Sequence, residues 1–490
     1  MTQHNPHRQS RWWILAALCV AQLMVILDAT VVNIALPSAQ RDLGFSNSNR
    51  QWIITSYALA FGSLLLLGGK LSDLAGRKRI LTIGLCGFAL ASAVGGAAQS
   101  FLMLAAARAV QGAFGALMAP AILSLVSTTF TEPAARNKAF GIFGGVISSG
   151  ASVGLLLGGA LTQWIDWRAV MYVNDVIVVF ALIGVLTLLV NGRPAEQPRL
   201  DLAGAAVVTA GLAVIVFGFS RAETAGWGDP QTIGSLAAGM VLLALFVILE
   251  ARVPRPLLPL RILADRNRGA SYLTIAFAAV GLFGLLLFLT YDLQGIRGYS
   301  PIRAGIAFLP MTLAVTAASI IGSTMLQPRL GPRWLVAIGM ALGALGMLYL
   351  TRLDVRSTYA AGILPALLMQ GLGLGLVFSS ATNLATFGVE PRDSGEASAT
   401  VNACQLIGGS LGTALLSTIA AEATTSYLKG LQPTAAAIAR ASVHGYTTAW
   451  AWSAAIFAAG AVVALVLYPL RRPATPAPQA SETAPAFPAE

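Results

Sequence analysis

Two ionisable residues stand inside otherwise apolar sequence, and they are the groups best placed to do chemistry. Asp28 lies in the run 12–36 and Arg108 in the run 102–129. An acid or base at the centre of a membrane helix costs roughly 2.5–3.5 kcal/mol on insertion scales, so one that persists usually faces a polar path and works there. Asp28 sits about 12 Å in from the end of its run and Arg108 about 9 Å in from the start of its own, at 1.5 Å per residue. Runs one and four point in opposite directions, so the two depths match. Burial favours the neutral carboxyl, whereas a neighbouring cation favours the carboxylate. Balanced between the two, Asp28 could take up and release a proton. A guanidinium stays charged, so Arg108 could hold Asp28 ionised in one state and release it in another. The alternative is a permanent structural ion pair.

The elements that must position these groups follow from composition. Of 490 residues, 56% are hydrophobic and 10% charged, against about 25% charged in a soluble domain. The apolar residues fall in blocks of roughly 20, the length that matches the hydrocarbon core of a bilayer. Backbone groups in lipid must be satisfied internally, so each block reads as a helix. Fourteen runs are expected: 12–36, 51–69, 80–99, 102–129, 138–161, 169–190, 202–220, 233–249, 269–291, 303–326, 334–350, 360–385, 396–418 and 446–469. The first is too long for a leader peptide. An even number places both termini on one side. Lys and Arg favour the terminus-bearing side by about two to one, which makes that side cytoplasmic. The net charge of +11 therefore reads as topology rather than nucleic-acid binding. Cys19, Cys86 and Cys404 lie inside apolar runs, and the three histidines have no ligand spacing. No metal site, cofactor or enzymatic cluster is expected.

Residues 12–190 and 269–469 each hold six runs, offset by about 255 positions. Gly76-Arg77-Lys78 and Gly331-Pro332-Arg333 occupy equivalent loops, and Gly154 and Gly158 map near Gly408 and Gly412. Such parallel repeats characterise six-plus-six transporters. On this reading 1–11 is a cytoplasmic N-terminus and 202–249 an inserted, lipid-facing pair. Residues 419–445 form a long external loop with a short helix near 435–441, and 470–490 is a disordered cytoplasmic tail.

The segment GGKLSDLAGRKR, residues 68–79, has more structure than a plain basic loop. Gly69 and Gly76 would allow close helix approach and a tight turn. Asp73 would pair with Arg77 at i+4, and Lys78 would help anchor the face. This segment resembles the loop between the second and third helices of the major facilitator superfamily, which in that family acts as a conformational latch. LDATVVNIALP at 27–37 resembles the first-helix signature of the fourteen-helix drug:proton antiporters. Arg108-Ala-Val-Gln111-Gly112 resembles the fourth-helix motif whose arginine is linked to proton transfer, and Gly298-Tyr299-Ser300-Pro301 with Ala304-Gly305 and Leu309-Pro310 is similar to that subfamily's segment after run nine. The resemblance covers about residues 12–469.

It implies an all-α membrane protein of two six-helix bundles plus an inserted helix pair, working as a monomer in the cell membrane. It further implies export of hydrophobic or amphipathic compounds, driven by the proton gradient with no cofactor. A dedicated exporter of one metabolite or antibiotic, a proton symporter and a non-transporting sensor are the alternatives. In run five, Gly150, Gly154, Gly158 and Gly159 match the family's antiporter motif, but Leu155 stands where proline is usual, removing a bend. Asp175, in Asn174-Asp175-Val176, departs from the family's usual uncharged residue. Asn33, Tyr57, Gln111, Asp175, Asn402 and Gln405 are candidates for the substrate cavity, with helix–helix hydrogen bonds as the competing role.

Overall fold

The computed structural model describes residues 6–130, 132–189, 201–253, 256, 260–386, 394–432 and 434–468. Every regular element among them is helical. The first half holds α1 (Pro6–Leu43), α2 (Asn47–Ala75), α3 (Arg77–Gly96), α4 (Phe101–Thr129), α5 (Pro133–Trp164) and α6 (Ala169–Leu188). Then come α7 (Leu202–Ala225), α8 (Pro230–Arg252) and the single turn α9 (Leu260–Ala264). The second half holds α10 (Arg266–Tyr291), α11 (Pro301–Ile321), α12 (Gln327–Leu350), α13 (Leu364–Thr386), α14 (Ser394–Leu428) and α15 (Ala435–Leu467). Each of the fourteen apolar runs overlaps one long helix over most of its length, among the described residues. Among the described residues, eleven helices are long and apolar enough to cross a membrane.

Several of the helix starts among the described residues are locally encoded. Ser100, Asp229, Asp265, Ser300 and Thr434 each accept a backbone N–H of the helix they precede, satisfying donors that helix starts otherwise leave unpaired. Gly76 (φ 93°) separates α2 from α3, and Gly331 (φ 76°) breaks the start of α12 in the equivalent place. Both need the positive φ that glycine adopts without steric cost. The face holding Gly76 and Gly331 is called the basic face below, and the opposite one the far face.

The helix pairings of the two halves repeat. α1 packs on α5 and α6, α2 on α4, and α3 on α4 and α6; α10 packs on α14 and α15, α11 on α13, and α12 on α13 and α15. Glycines set the close approaches. A Cβ on Gly158 would lie 2.9 Å from the Val31 carbonyl of α1, and one on Gly412 would lie 2.6 Å from Val280 Cα of α10. Lipid supplies no hydrophobic force between helices, so association depends on such contact. Gly371 and Gly375 likewise pack on α11 backbone, and Gly373 on α12.

The halves meet through α5 with α11, α2 with α14, and the far ends of α1 and α10. Tyr291 donates to Gln40 Oε1 (2.5 Å), Gln294 to the Ile34 carbonyl (2.9 Å), and the Ile302 amide to Gln163 Oε1 (3.4 Å). The Arg50 guanidinium lies 4.2 Å from the centre of the Tyr291 ring and about 6 Å from Phe288 and Tyr446. These groups close the seam at the far face.

Two expectations need correction. The inserted pair is not uniformly lipid-facing. α7 packs into the seam between α2 and α14, where Thr418 donates to the Phe219 carbonyl (2.7 Å). α8 alone fits the expectation, with Met240, Val241 and Val247 exposed. The long loop at 419–445 is also absent. α14 continues to Leu428 and α15 begins at Ala435, because Ala-rich sequence extends both helices past the apolar core. The N-terminal residues 1–5 and the tail 469–490 lie outside the described residues.

Candidate functional site

Asp28 and Arg108 meet. Asp28 comes from the middle of α1 and Arg108 from the second turn of α4, and both are 1% exposed. Arg108 Nη1 donates to Asp28 Oδ2 at 2.6 Å. The same nitrogen donates to Gln111 Oε1 (3.0 Å), and Arg108 Nε donates to the Ile53 carbonyl of α2 (3.4 Å). The guanidinium also lies 4.3 Å from the centre of the Tyr57 ring, a cation–π contact strengthened by burial. The helix period puts Arg108 and Gln111 on one face of α4. Gly112, on the same face, lets the α2 backbone come close enough to receive them.

Two further side chains complete the cluster. Asn174 of α6 donates from Nδ2 to Asp28 Oδ1 (2.8 Å) and to Ser92 Oγ of α3 (3.1 Å). Gln111 Nε2 donates to Ser92 Oγ (3.0 Å) and to Asp28 Oδ1 (3.3 Å), and Ser92 donates to the Met171 carbonyl (2.8 Å). Asp28 thus accepts from one cation and two amides while α1, α2, α3, α4 and α6 converge on it. Such donors hold a carboxylate in a site where an unpaired charge would be costly. Asn174 Oδ1 and Tyr57 Oη are buried without a partner among the described residues.

The sequence reading missed the roles of Ser92 and Asn174. Asp175 drew attention because it is charged, yet it is half-exposed and is not among the residues that meet at Asp28. One helical step of about 100° turns Asn174 inward instead. Of the other polar candidates, Gln111 and Tyr57 join the cluster, whereas Asn33, Asn402 and Gln405 do not. Asn33 is buried and bonds its own helix at the Ala29 carbonyl (3.0 Å); Asn402 is exposed and bonds the Ser398 carbonyl (3.2 Å). Gln405 is half-buried on α14. A second buried pair, Arg297 Nε to Asp292 Oδ2 at 2.5 Å, lies at the far end of α10, where Arg297 also bonds the Asp354 and Ser357 carbonyls. It anchors the far-face loops of the second half.

A family model for the Major Facilitator Superfamily matches residues 18–413. The chain belongs to the Major Facilitator Superfamily. It is 47% identical over 480 residues to a puromycin resistance protein of Streptomyces alboniger, covering 98% of this chain and 95% of that protein. It is 37% identical over 414 residues to a cephamycin export protein of Amycolatopsis lactamdurans, covering 84% and 85%. The fold matches a bacterial homolog of the human lysosomal transporter Spinster, in an inward-facing and occupied conformation, with TM-score 0.68, 17% identity and 94% and 97% coverage. The chain is therefore a helical membrane transporter and not an enzyme, and its relatives include antibiotic resistance and export proteins.

The motifs of this superfamily member have specific contacts. Lys78 donates to the Leu186 and Leu189 carbonyls (3.1 and 2.5 Å), tying the start of α3 to the end of α6, where free carbonyls attract a cation. Arg77 begins α3 directly after Gly76. The side chain of Asp73 lies outside the described residues, and with it the expected pairing to Arg77. The close approach expected at Gly69 occurs at Gly68. A Cβ on Gly69 would meet Pro120 at an ordinary 3.6 Å, while one on Gly68 would overlap the Ala116 carbonyl. Gly150 and Gly154 pack on Leu23, Ile26 and Thr30 of α1, whereas Gly159 packs on Pro301 and Ile302 of α11. α5 runs as one helix through Leu155, which is buried and whose carbonyl lies against Gly305 of α11. The α5 motif therefore serves both the α1 contact and the seam between halves.

Proposed function

We propose that the protein exports hydrophobic or amphipathic antibiotics in exchange for protons, by alternating access of two six-helix bundles (12–190 and 269–469) with 202–249 inserted between them. The observation that carries this reading is the buried Asp28–Arg108 pair, on which polar side chains of α3, α4 and α6 converge. Fourteen crossings with both termini cytoplasmic, in the cell membrane, agree with the helix order and the basic face. The far face is then external, and its closure at Gln40–Tyr291 and Arg50 suits a state that receives substrate from the cytoplasm.

Asp28 takes a proton from outside, weakening its hold on Arg108. Arg108 also holds the Ile53 carbonyl and the Tyr57 ring, so its release frees α2 to move relative to α1. The 68–79 loop and the Lys78 cap bias the return. A proton crossing 100 mV supplies about 2.3 kcal/mol, and one pH unit adds roughly 1.4 kcal/mol. Together these support an accumulation ratio of roughly several hundredfold. No cofactor enters the cycle, and one chain suffices.

A second reading, export of one dedicated antibiotic, is favoured by the near full-length 47% identity to a puromycin resistance protein. Inverted vesicles test both. Export by exchange predicts that puromycin or another substrate dissipates an imposed proton gradient. A gradient that persists while labelled drug still accumulates would refute proton exchange. A response to puromycin alone across a panel of amphipathic drugs would select the dedicated exporter.

A further inference from the structure

Protonation changes what Asp28 asks of its surroundings. As a carboxylate it only accepts hydrogen bonds, and Arg108, Gln111 and Asn174 all donate to it. As a carboxylic acid it also carries one O–H donor, which needs an acceptor in a site without bulk water. Arg108 offers none. Gln111 Oε1 already accepts from Arg108. Asn174 Oδ1 is buried and unpartnered, on an amide whose other atom is 2.8 Å from Asp28 Oδ1.

We infer that Asn174 is a positioning residue whose amide turns over with the protonation state of Asp28, donating from Nδ2 to the carboxylate and accepting at Oδ1 from the acid. This inference rests on the proposed proton coupling. A half-turn of the amide exchanges Nδ2 and Oδ1 and puts the acceptor within hydrogen-bond distance of Asp28 Oδ1. Ser92 permits the change. It accepts from Asn174 Nδ2 in the ionised state while its hydrogen goes to the Met171 carbonyl. In the protonated state that hydroxyl can rotate and donate to Asn174 Oδ1 instead. The proton enters from the external solution and is held on Oδ1, leaving Oδ2 beside Arg108; no other bond is made or broken. Among the described residues, the charged and titratable groups facing the carboxyl are Arg108 of α4 and, through it, Tyr57 of α2. From α3 and α6 the partners are the uncharged Ser92 and Asn174, and α5 presents glycines to α1.

Asn174 serves both states, but not equally. A hydrogen bond to a charged acceptor is roughly twice as strong as one between neutral groups. Removing the amide therefore penalises the carboxylate more. In Asn174→Ala, the pH midpoint of drug-driven proton release from the purified protein, with puromycin as the drug, is expected to move upward by roughly one unit. Asn174→Ser, whose hydroxyl also both donates and accepts, is expected to shift it less. Gel filtration confirms that each variant is folded. An unchanged midpoint in folded Asn174→Ala, with release still abolished in Asp28→Asn, would overturn the role of Asn174 and leave the coupling intact. Release that persists in Asp28→Asn would instead overturn the coupling. A downward shift would mean that the amide serves mainly the acid, contrary to the geometry.

Discussion

Breaking the Asp28–Arg108 pair from either side should give different penalties, and the difference is set by what each partner retains. A buried pair that loses one member typically costs 3–5 kcal/mol, since the survivor is left uncompensated. In Arg108→Met the survivor is Asp28, which keeps the Asn174 and Gln111 amides and can neutralise itself by taking up a proton. In Asp28→Asn the survivor is a guanidinium that cannot lose its charge. It keeps the Gln111 oxygen, the Ile53 carbonyl and the Tyr57 ring. Arg108→Met should therefore cost less than Asp28→Asn. The double variant has no buried charge at this site and should recover about 2–3 kcal/mol relative to the sum of the singles, near the upper range for contacting residues. Thermal unfolding of the purified protein in detergent, followed by tryptophan fluorescence, provides the comparison. Additivity within about 0.5 kcal/mol, or an Arg108→Met penalty at or above that of Asp28→Asn, would refute the reasoning.

Other substitutions test the scaffold. Gly68→Ala forces a Cβ into the Ala116 carbonyl and should cost about 1–3 kcal/mol, whereas Gly69→Ala should change stability by less than about 0.5 kcal/mol; gel filtration after graded heating separates them. Gly331→Ala meets no atom within 4 Å yet must hold φ near 76°, so it should cost about 1–2 kcal/mol from backbone strain alone. Gly158→Val wedges α5 from α1 at the Val31 backbone and should abolish recovery of folded protein, with Gly412→Val doing the same to α10 and α14. Arg50→Ala removes the cation from the Phe288, Tyr291 and Tyr446 rings and should loosen the far-face closure. A cysteine placed at Ala39 should then be modified several-fold faster by a membrane-impermeant reagent from that side.

Much of the site was legible because lipid makes charge rare. Asp28 and Arg108 stood out against apolar neighbours, and counting residues from the run ends brought them to one depth, where the structure places them 2.6 Å apart. Their partners were harder to see. Ser92 and Asn174 are small and uncharged, ordinary at helix contacts, and belong to helices separated from Asp28 by 64 and 146 positions. Charge drew attention to Asp175, whereas its uncharged neighbour Asn174 is the residue that reaches Asp28. The glycine correspondence between Gly154–Gly158 and Gly408–Gly412 was also readable, and it marks the same helix contact in each half. Gly68 and Gly69 were not separable, because only the rotation of α2 against α4 decides which one meets backbone. The place of α7 escaped for a related reason. Its apolar surface suits lipid and the α2–α14 seam equally well, and only the approach of the two halves makes it a wedge.

Drug-driven proton release from purified wild-type protein and from Asp28→Asn tests the central claim most directly. A weakly buffered, dye-containing solution reports the pH change on adding puromycin. The account predicts release of protons by the wild type, saturating with drug, and none by folded Asp28→Asn. Release of undiminished size from that variant would show that Asp28 does not carry the coupled proton.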